Sequence, residues 1–315
     1  MSASPAPARG RAPSRRALLA AAVATPAAGI AGVLTSDGRD PVTSGPPADA
    51  KAPGGPPSAG TPWPPAPGGD AGGRFRPAFP VDGLVTNEYA CAHPDAGDAR
   101  VSRDWVATSG SLFARWAFGW TGVPDGEAPG PDSGLHTGSS VFRLVTRRRD
   151  FADTTVRCWV FLRPPGTTGR TPARDWDGGH LWLRYRSPQE LYALSFRRRD
   201  GTVALKRKHP APGAPPDREG VYTTLATAGH ALDYGRWHLV TGTVNGCRDD
   251  RVRIALSLNG RTVLETEDGA PGGLTTAGGV GLRGDNTEMA FFGFTAEDST
   301  GRRACAEPTA EGAAR

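Results

Sequence analysis

Over residues 81–298 the chain is a succession of short runs rich in Val, Leu, Phe, Thr and Trp, each closed by Gly, Pro, Asn or Asp. The runs read as strands fall at 105–108, 111–116, 140–146, 154–162, 180–186, 191–199, 202–208, 237–244, 251–258, 261–266, 280–283 and 288–295. None shows the three-to-four-residue apolar spacing of an amphipathic helix. This pattern excludes a helical bundle and a parallel α/β sheet. It predicts an all-β, two-sheet antiparallel sandwich of the jelly-roll kind. Asp200-Gly201 and Asn259-Gly260 each lie between alternating runs and predict two-residue hairpin loops.

The stretch 180–208 constrains the faces further. With Asp200-Gly201 as a two-residue loop, Arg197 faces Ala204 and Ser195 faces Lys206. With Ser187-Pro188-Gln189-Glu190 closing the preceding hairpin, Arg184 faces Ala193, Trp182 faces Ser195 and His180 faces Arg197. Alternation then gives a core face of Leu181, Leu183, Tyr185, Tyr192, Leu194, Phe196, Val203 and Leu205, with Arg198 and Arg207 near its ends. The opposite face carries His180, Trp182, Arg184, Ser195, Arg197, Arg199, Lys206 and Lys208. A solvated outer sheet face is one reading of it. The floor of a ligand groove is the other, with the indole stacking on a sugar ring while Arg and His donate to hydroxyls or carboxylates.

The front of the chain cannot join this core. Of 30 Pro in the sequence, 16 lie in the first 80 residues, a composition that buries too little apolar surface to offset its ordering entropy. Ser14-Arg15-Arg16-Ala17-Leu18-Leu19 precedes an apolar run at 20–34, and this is similar to a twin-arginine export signal. The expected organisation is a signal at 1–36, a Pro/Gly-rich spacer at 37–80, a folded domain at 81–299 and a tail at 300–315, secreted or held at the cell envelope, with no stable membrane span and as a monomer. Residues 1–80 hold 8 Lys/Arg against 4 Asp/Glu, so of the formal net charge of +5 the remainder carries only +1. A near-neutral domain lacks the field of a dedicated nucleic-acid binder. Cys91, Cys158, Cys247 and Cys305 make an even number in an exported chain and read as two disulfides with three connectivities. Termini that lie close together favour Cys91 with Cys305, leaving Cys158 with Cys247.

The order G-H-L-W-L-R-Y-R-S-P-Q-E-L-Y-A-L-S-F-R-R-R-D-G-T-V-A-L-K-R-K, then Y-G-R-W-H-L-V-T-G-T-V-N-G, then I-A-L-S-L-N-G-R-T-V and G-G-V-G-L-R-G-D-N-T-E-M-A-F-F-G-F resembles the concanavalin A-like lectin/glucanase superfamily, its LamG-like and keto-disaccharide-hydrolase-like branches above all. The resemblance spans about residues 105–297 and implies two packed sheets with a concave ligand face. It does not imply one activity, because lectins, binding modules, glucanases, lyases and adhesion domains share this fold.

Several chemistries lack their residues. The carboxylate spacings E-x-D-x-x-E and E-x-D-x-E that laminarinase-type members carry are absent, and Glu265-Thr266-Glu267-Asp268 reads as a solvated hairpin edge. No G-x-S-x-G elbow supports serine hydrolysis. His93, His136, His209, His230 and His238 are scattered without metal-ligand spacing. Arg283-Gly284-Asp285 reads as a turn before the last strand; Asp285 and Asn286 could offer oxygens to a structural Ca²⁺, and no cofactor is required. Trp237 reads as core and Arg147 to Arg149 as a solvated strand end. The expectation is noncatalytic binding of a polysaccharide or cell-surface glycan, acidic in character, through His180, Trp182, Arg184, Arg197, Arg199 and Lys206. The alternatives are a glycoside hydrolase or polysaccharide lyase using the same groove, and an adhesion module recognising protein.

Overall fold

A computed structural model describes residues 73–125, 129–133, 141–167, 169, 171–213, 220–230, 232–247, 250–269 and 271–299. The segments expected as signal and tail, and most of the expected spacer, lie outside them. No helix among the described residues is long and apolar enough to cross a membrane.

The order is β1 (Asp82–Asn87), α1 (Glu88–Ala92), β2 (Trp105–Ser109), β3 (Ser111–Arg115), β4 (Phe118–Trp120), β5 (Val141–Thr146), β6 (Thr154–Leu162), β7 (Gly178–Ser187), β8 (Glu190–Arg198), β9 (Thr202–His209), β10 (Val221–Gly229), β11 (Trp237–Gly246), β12 (Val252–Leu258), β13 (Arg261–Asp268), β14 (Gly279–Asp285) and β15 (Met289–Asp298). The strands form two antiparallel sheets. One runs β1-β3-β4-β15-β6-β11-β12-β13 and the other β10-β9-β8-β7-β14-β5-β2. The fold is the expected all-β jelly-roll sandwich. The sheets bury a shared core that includes Leu112, Phe142, Val160, Leu181, Leu194, Phe196, Val240, Leu256 and Phe291. Phe75 and Phe79 were read as spacer. Yet Phe75 pairs with Ala296 and packs its ring against Trp105, Phe151 and Phe294, and Phe79 packs on Phe291.

All the strands read from sequence are present, and β1, β4 and β10 are additional. The Asn259-Gly260 loop holds as read: Leu258 faces Arg261, and both loop residues have positive φ (52° and 84°), as a twisted two-residue turn requires. The loop at Asp200-Gly201 is longer. Ser195 faces Ala204 and Ala193 faces Lys206, a shift of two residues that leaves every side chain on its expected face.

The β7–β8 hairpin departs more. Ser187 faces Glu190 as expected, but the register then slips, so that Leu183 faces Tyr192, Trp182 faces Ala193 and His180 faces Ser195. The bulge centres on Arg184, whose φ is +46°. Arg184 and Tyr185 thereby exchange faces. Arg184 enters the interior, and Tyr185 comes out to stack on Trp182 at 5.3 Å and 19°.

The cysteine pairing is corrected. Cys91 is an exposed free thiol and Cys158 a buried free thiol. Val240 is the β11 residue opposite Cys158, and Cys247 is seven residues further along, about 23 Å at the rise of a strand. A disulfide needs Cα atoms within about 7 Å. Cys305 lies outside the described residues.

Candidate functional site

The outward face of the β10-to-β2 sheet carries a pocket of about 460 Å³. Its floor follows from register. One cross-strand row is Arg143 (β5), Arg283 (β14), His180 (β7) and Ser195 (β8). The next row is Val145, Gly281, Trp182, Ala193 and Lys206. The side-chain-poor Gly281 and Ala193 flank the indole and leave room above it. A Cβ at Gly281 would come 2.0 Å from Leu144 O. Trp176, before β7, and Tyr222, on β10, complete the rim.

Of the six contact residues read from sequence, three line this pocket: His180, Trp182 and Lys206. Trp182 is only 3% exposed, so it is no open stacking platform. It packs with Val145, Tyr185, Leu191 and Ala193, and Arg149, which was read as solvated, sits over the outer face of Tyr185 at 4.9 Å. The indole Nε1 is buried and has no hydrogen-bond partner among the described residues.

The other three lie elsewhere. Arg184 is 1% exposed inside the sandwich, where it donates to Ala152 O at 3.1 Å, Leu274 O and Asp153 Oδ1 at 3.0 Å. Arg197 lies over the Tyr234 ring at 4.2 Å. Arg199 donates to Asp177 Oδ2 at 3.0 Å and Gly166 O at 2.7 Å. The same Asp177 oxygen accepts from Arg174 N and Asn286 Nδ2, both at 3.0 Å. Arg199 thus clamps the loop that presents Trp176.

Arg283-Gly284-Asp285 is not a turn but the end of β14. Residues two apart share a strand face, so Arg283 chelates Asp285: Nε to Oδ2 at 2.7 Å and Nη2 to Oδ1 at 2.8 Å. Arg283 Nη1 also donates to Tyr222 Oη at 3.2 Å. His180 Nε2 lies 3.1 Å from Asp285 Oδ2, off the axis of an ideal bond, and His180 Nδ1 lies 2.8 Å from Ser195 Oγ. Burial alone would raise the Asp285 pKa, but Arg283 and His180 hold its carboxyl far below the usual range. Burial lowers the His180 pKa; Asp285 opposes this, while Arg283 and Lys206 add to it, and the imidazole is neutral at pH 7. Lys206 is lowered by desolvation and by Arg198 and Arg283. Its Nζ faces the Tyr222 ring at 6.0 Å and makes no ion pair among the described residues.

Sequence reasoning missed Arg143, Trp176 and Tyr222, and gave Arg283 and Asp285 other roles, in a turn and as a Ca²⁺ oxygen donor. Alternation in 140–146 marks Arg143 as outward, but only the strand order places β5 and β14 beside β7. Like charges directly opposed are unfavourable in a sheet, and Asp285 offsets the Arg143–Arg283 pair by holding Arg283.

The remaining candidates are structural. Glu265 pairs with Arg253 and Glu267 with Arg251, so neither is a free catalytic carboxylate. Asp268 is buried against Arg207 and Tyr192 Oη. Trp237 lies in an aromatic cluster on the outer face of the other sheet, against Phe161 and Phe292, rather than in the central core.

No protein-family model and no curated protein matches the chain. Among solved structures, the carbohydrate-binding module CBM66 from Bacillus subtilis is 13% identical with a TM-score of 0.40, covering 62% of this chain and 95% of its own. The carbohydrate recognition domain of Emp46p in potassium-bound form is 9% identical with a TM-score of 0.42, over 70% and 96%. A galectin-like protein of unknown function from Bacillus subtilis is 15% identical with a TM-score of 0.41, over 62% and 90%. At these values the class of this protein, an antiparallel jelly-roll sandwich with a pocketed sheet face, rests on strand order and register alone.

Proposed function

We propose that the pocket binds an acidic carbohydrate. The observation that carries this is the pairing of a buried indole N–H and an ammonium that, among the described residues, have no hydrogen-bond partner and no ion pair respectively, in one pocket rimmed by Trp176 and Tyr222. Aromatic rings at a pocket rim suit the C–H faces of sugars, and the polar floor suits hydroxyls. Among the described lining residues Arg143, Arg283 and Lys206 outnumber Asp285, which suits a carboxylate or sulfate substituent. The described lining holds one carboxylate, whereas glycoside hydrolysis takes two. That favours binding over a glycosidase. The Ser14-Arg15-Arg16 motif and the Pro-rich segment support an exported chain acting at or beyond the envelope.

Calorimetry against neutral and uronate- or sulfate-bearing oligosaccharides tests this. Lys206→Ala should weaken an acidic ligand by about 10-fold or more, the loss of one charge-assisted hydrogen bond, and reduce the salt dependence. Trp182→Phe removes only the N–H and should cost about 5-fold to 10-fold. Binding that neither variant changes, or no binding across the panel, overturns the proposal.

A further inference from the structure

Binding leaves one arrangement on the pocket floor unused. Ser195 Oγ is 2.8 Å from His180 Nδ1, and His180 Nε2 is 3.1 Å from Asp285 Oδ2. The three groups sit on adjacent strands β8, β7 and β14, are each at least nine-tenths buried, and all line the pocket. Arg283 holds both Asp285 oxygens, so the carboxylate cannot swing away.

The proton order follows from charge. An anionic carboxylate beside Nε2 favours the tautomer with its proton there. Nδ1 is then left as an acceptor, and Ser195 is the donor to it. Carboxylate, imidazole and hydroxyl in that order is the arrangement that activates a serine oxygen. The off-axis approach of Nε2 is what such chains often show before substrate arrives. Two donors stand one row away, on either side of Ala193: the Trp182 indole N–H and the Lys206 ammonium, neither of them paired among the described residues. Donors of this kind stabilise a developing oxyanion. Ala193 on the same strand and Ala204 opposite Ser195 leave room beside the otherwise buried hydroxyl for a small acyl group.

The geometry points to Ser195 as a nucleophile that removes a small acyl ester, of the O-acetyl class, from a carbohydrate held in this pocket. The substrate class rests on the carbohydrate reading above; the nucleophile does not. Ser195 Oγ attacks the ester carbonyl carbon as its proton passes to His180 Nδ1. His180 returns that proton to the departing sugar oxygen as the ester C–O bond breaks, leaving acyl-Ser195. Water then adds to the acyl carbon, giving a proton to His180, and the Ser195–acyl bond breaks. The carboxylic acid leaves and Ser195 regains its proton. Nothing is oxidised or reduced.

The test is a fluorophosphonate probe on the full chain, read by peptide mass, beside acetate release from O-acetylated xylan and O-acetylated alginate. The expected result is one adduct on Ser195, absent in Ser195→Ala and formed about 10²-fold to 10⁴-fold more slowly in His180→Gln. Acetate release should depend on the same two residues. No adduct on Ser195 in the unmodified folded chain, or an adduct rate indifferent to His180→Gln, overturns the inference. The unmodified chain supplies the deciding readout, so a variant that misfolds does not obscure it. Calorimetry of the same glycans on Ser195→Ala separates the two readings. Binding without an adduct keeps the carbohydrate and removes the nucleophile, and an adduct without binding does the reverse.

Discussion

Arg184 shows how one backbone conformation redirects a side chain. Strict alternation places it on the solvent face of β7. A positive φ at this residue inserts a bulge, and the guanidinium enters the sandwich and joins Asp153 to two carbonyls. Asp153 also accepts from Gly246 N at 2.8 Å, so this contact ties β7 to the end of β11. Arg184→Ala should strand those acceptors and cost about 3 kcal/mol, read as a lower urea midpoint with an unchanged slope. Sugar binding should persist in the folded fraction. The sequence held no turn residue at this site to announce the bulge, since Arg-Tyr-Arg is ordinary strand composition.

At the level of elements, the pocket depends on parts that local pattern marks weakly. β10 is an exposed edge strand of Thr, Ala, Tyr and Val, and it supplies Tyr222. The segment before β7 has no regular structure and supplies Trp176, held through Asp177 by Arg199. Arg199 therefore acts on the site by fixing a loop. Arg199→Ala should weaken glycan binding about as much as Trp176→Ala, and combining the two should add little, because neighbours on one path are not additive. Calorimetry on the two single variants and the double variant checks this; full additivity would separate the residues. The end of β14 was read as a turn because Arg-Gly-Asp resembles one. Pairing with β5 and β7 on both sides keeps it extended.

For the whole molecule, the buried group at His180 and Asp285 links stability to pH. His180 has its pKa lowered from 6.5 by burial, so the unfolded chain binds its proton first, and stability falls as pH drops below about 6.5. Asp285 has its pKa lowered from 3.8 by Arg283 and His180 against the pull of burial, so a second loss follows below about pH 4. Asp285, Arg283 and Lys206 face the imidazole, with Ser195 and Arg143 in the same row. Thermal unfolding should show Tm falling between pH 7 and pH 5, and His180→Gln should flatten that fall. A profile unchanged in the variant would remove His180 as its cause.

What the chain's own pattern determined is the all-β class, the two-sheet sandwich, and the outward face shared by His180, Trp182 and Lys206. Side-chain alternation and turn chemistry are local, and a register slip of two residues preserves faces. What only the tertiary structure decided is which strands lie side by side, where a bulge reverses a face, and which buried groups share a proton network. Arg143, Arg283, Asp285 and Tyr222 reach the pocket from strands distant in the chain. Their convergence depends on sheet order, which the packing of the whole core selects and no single segment encodes.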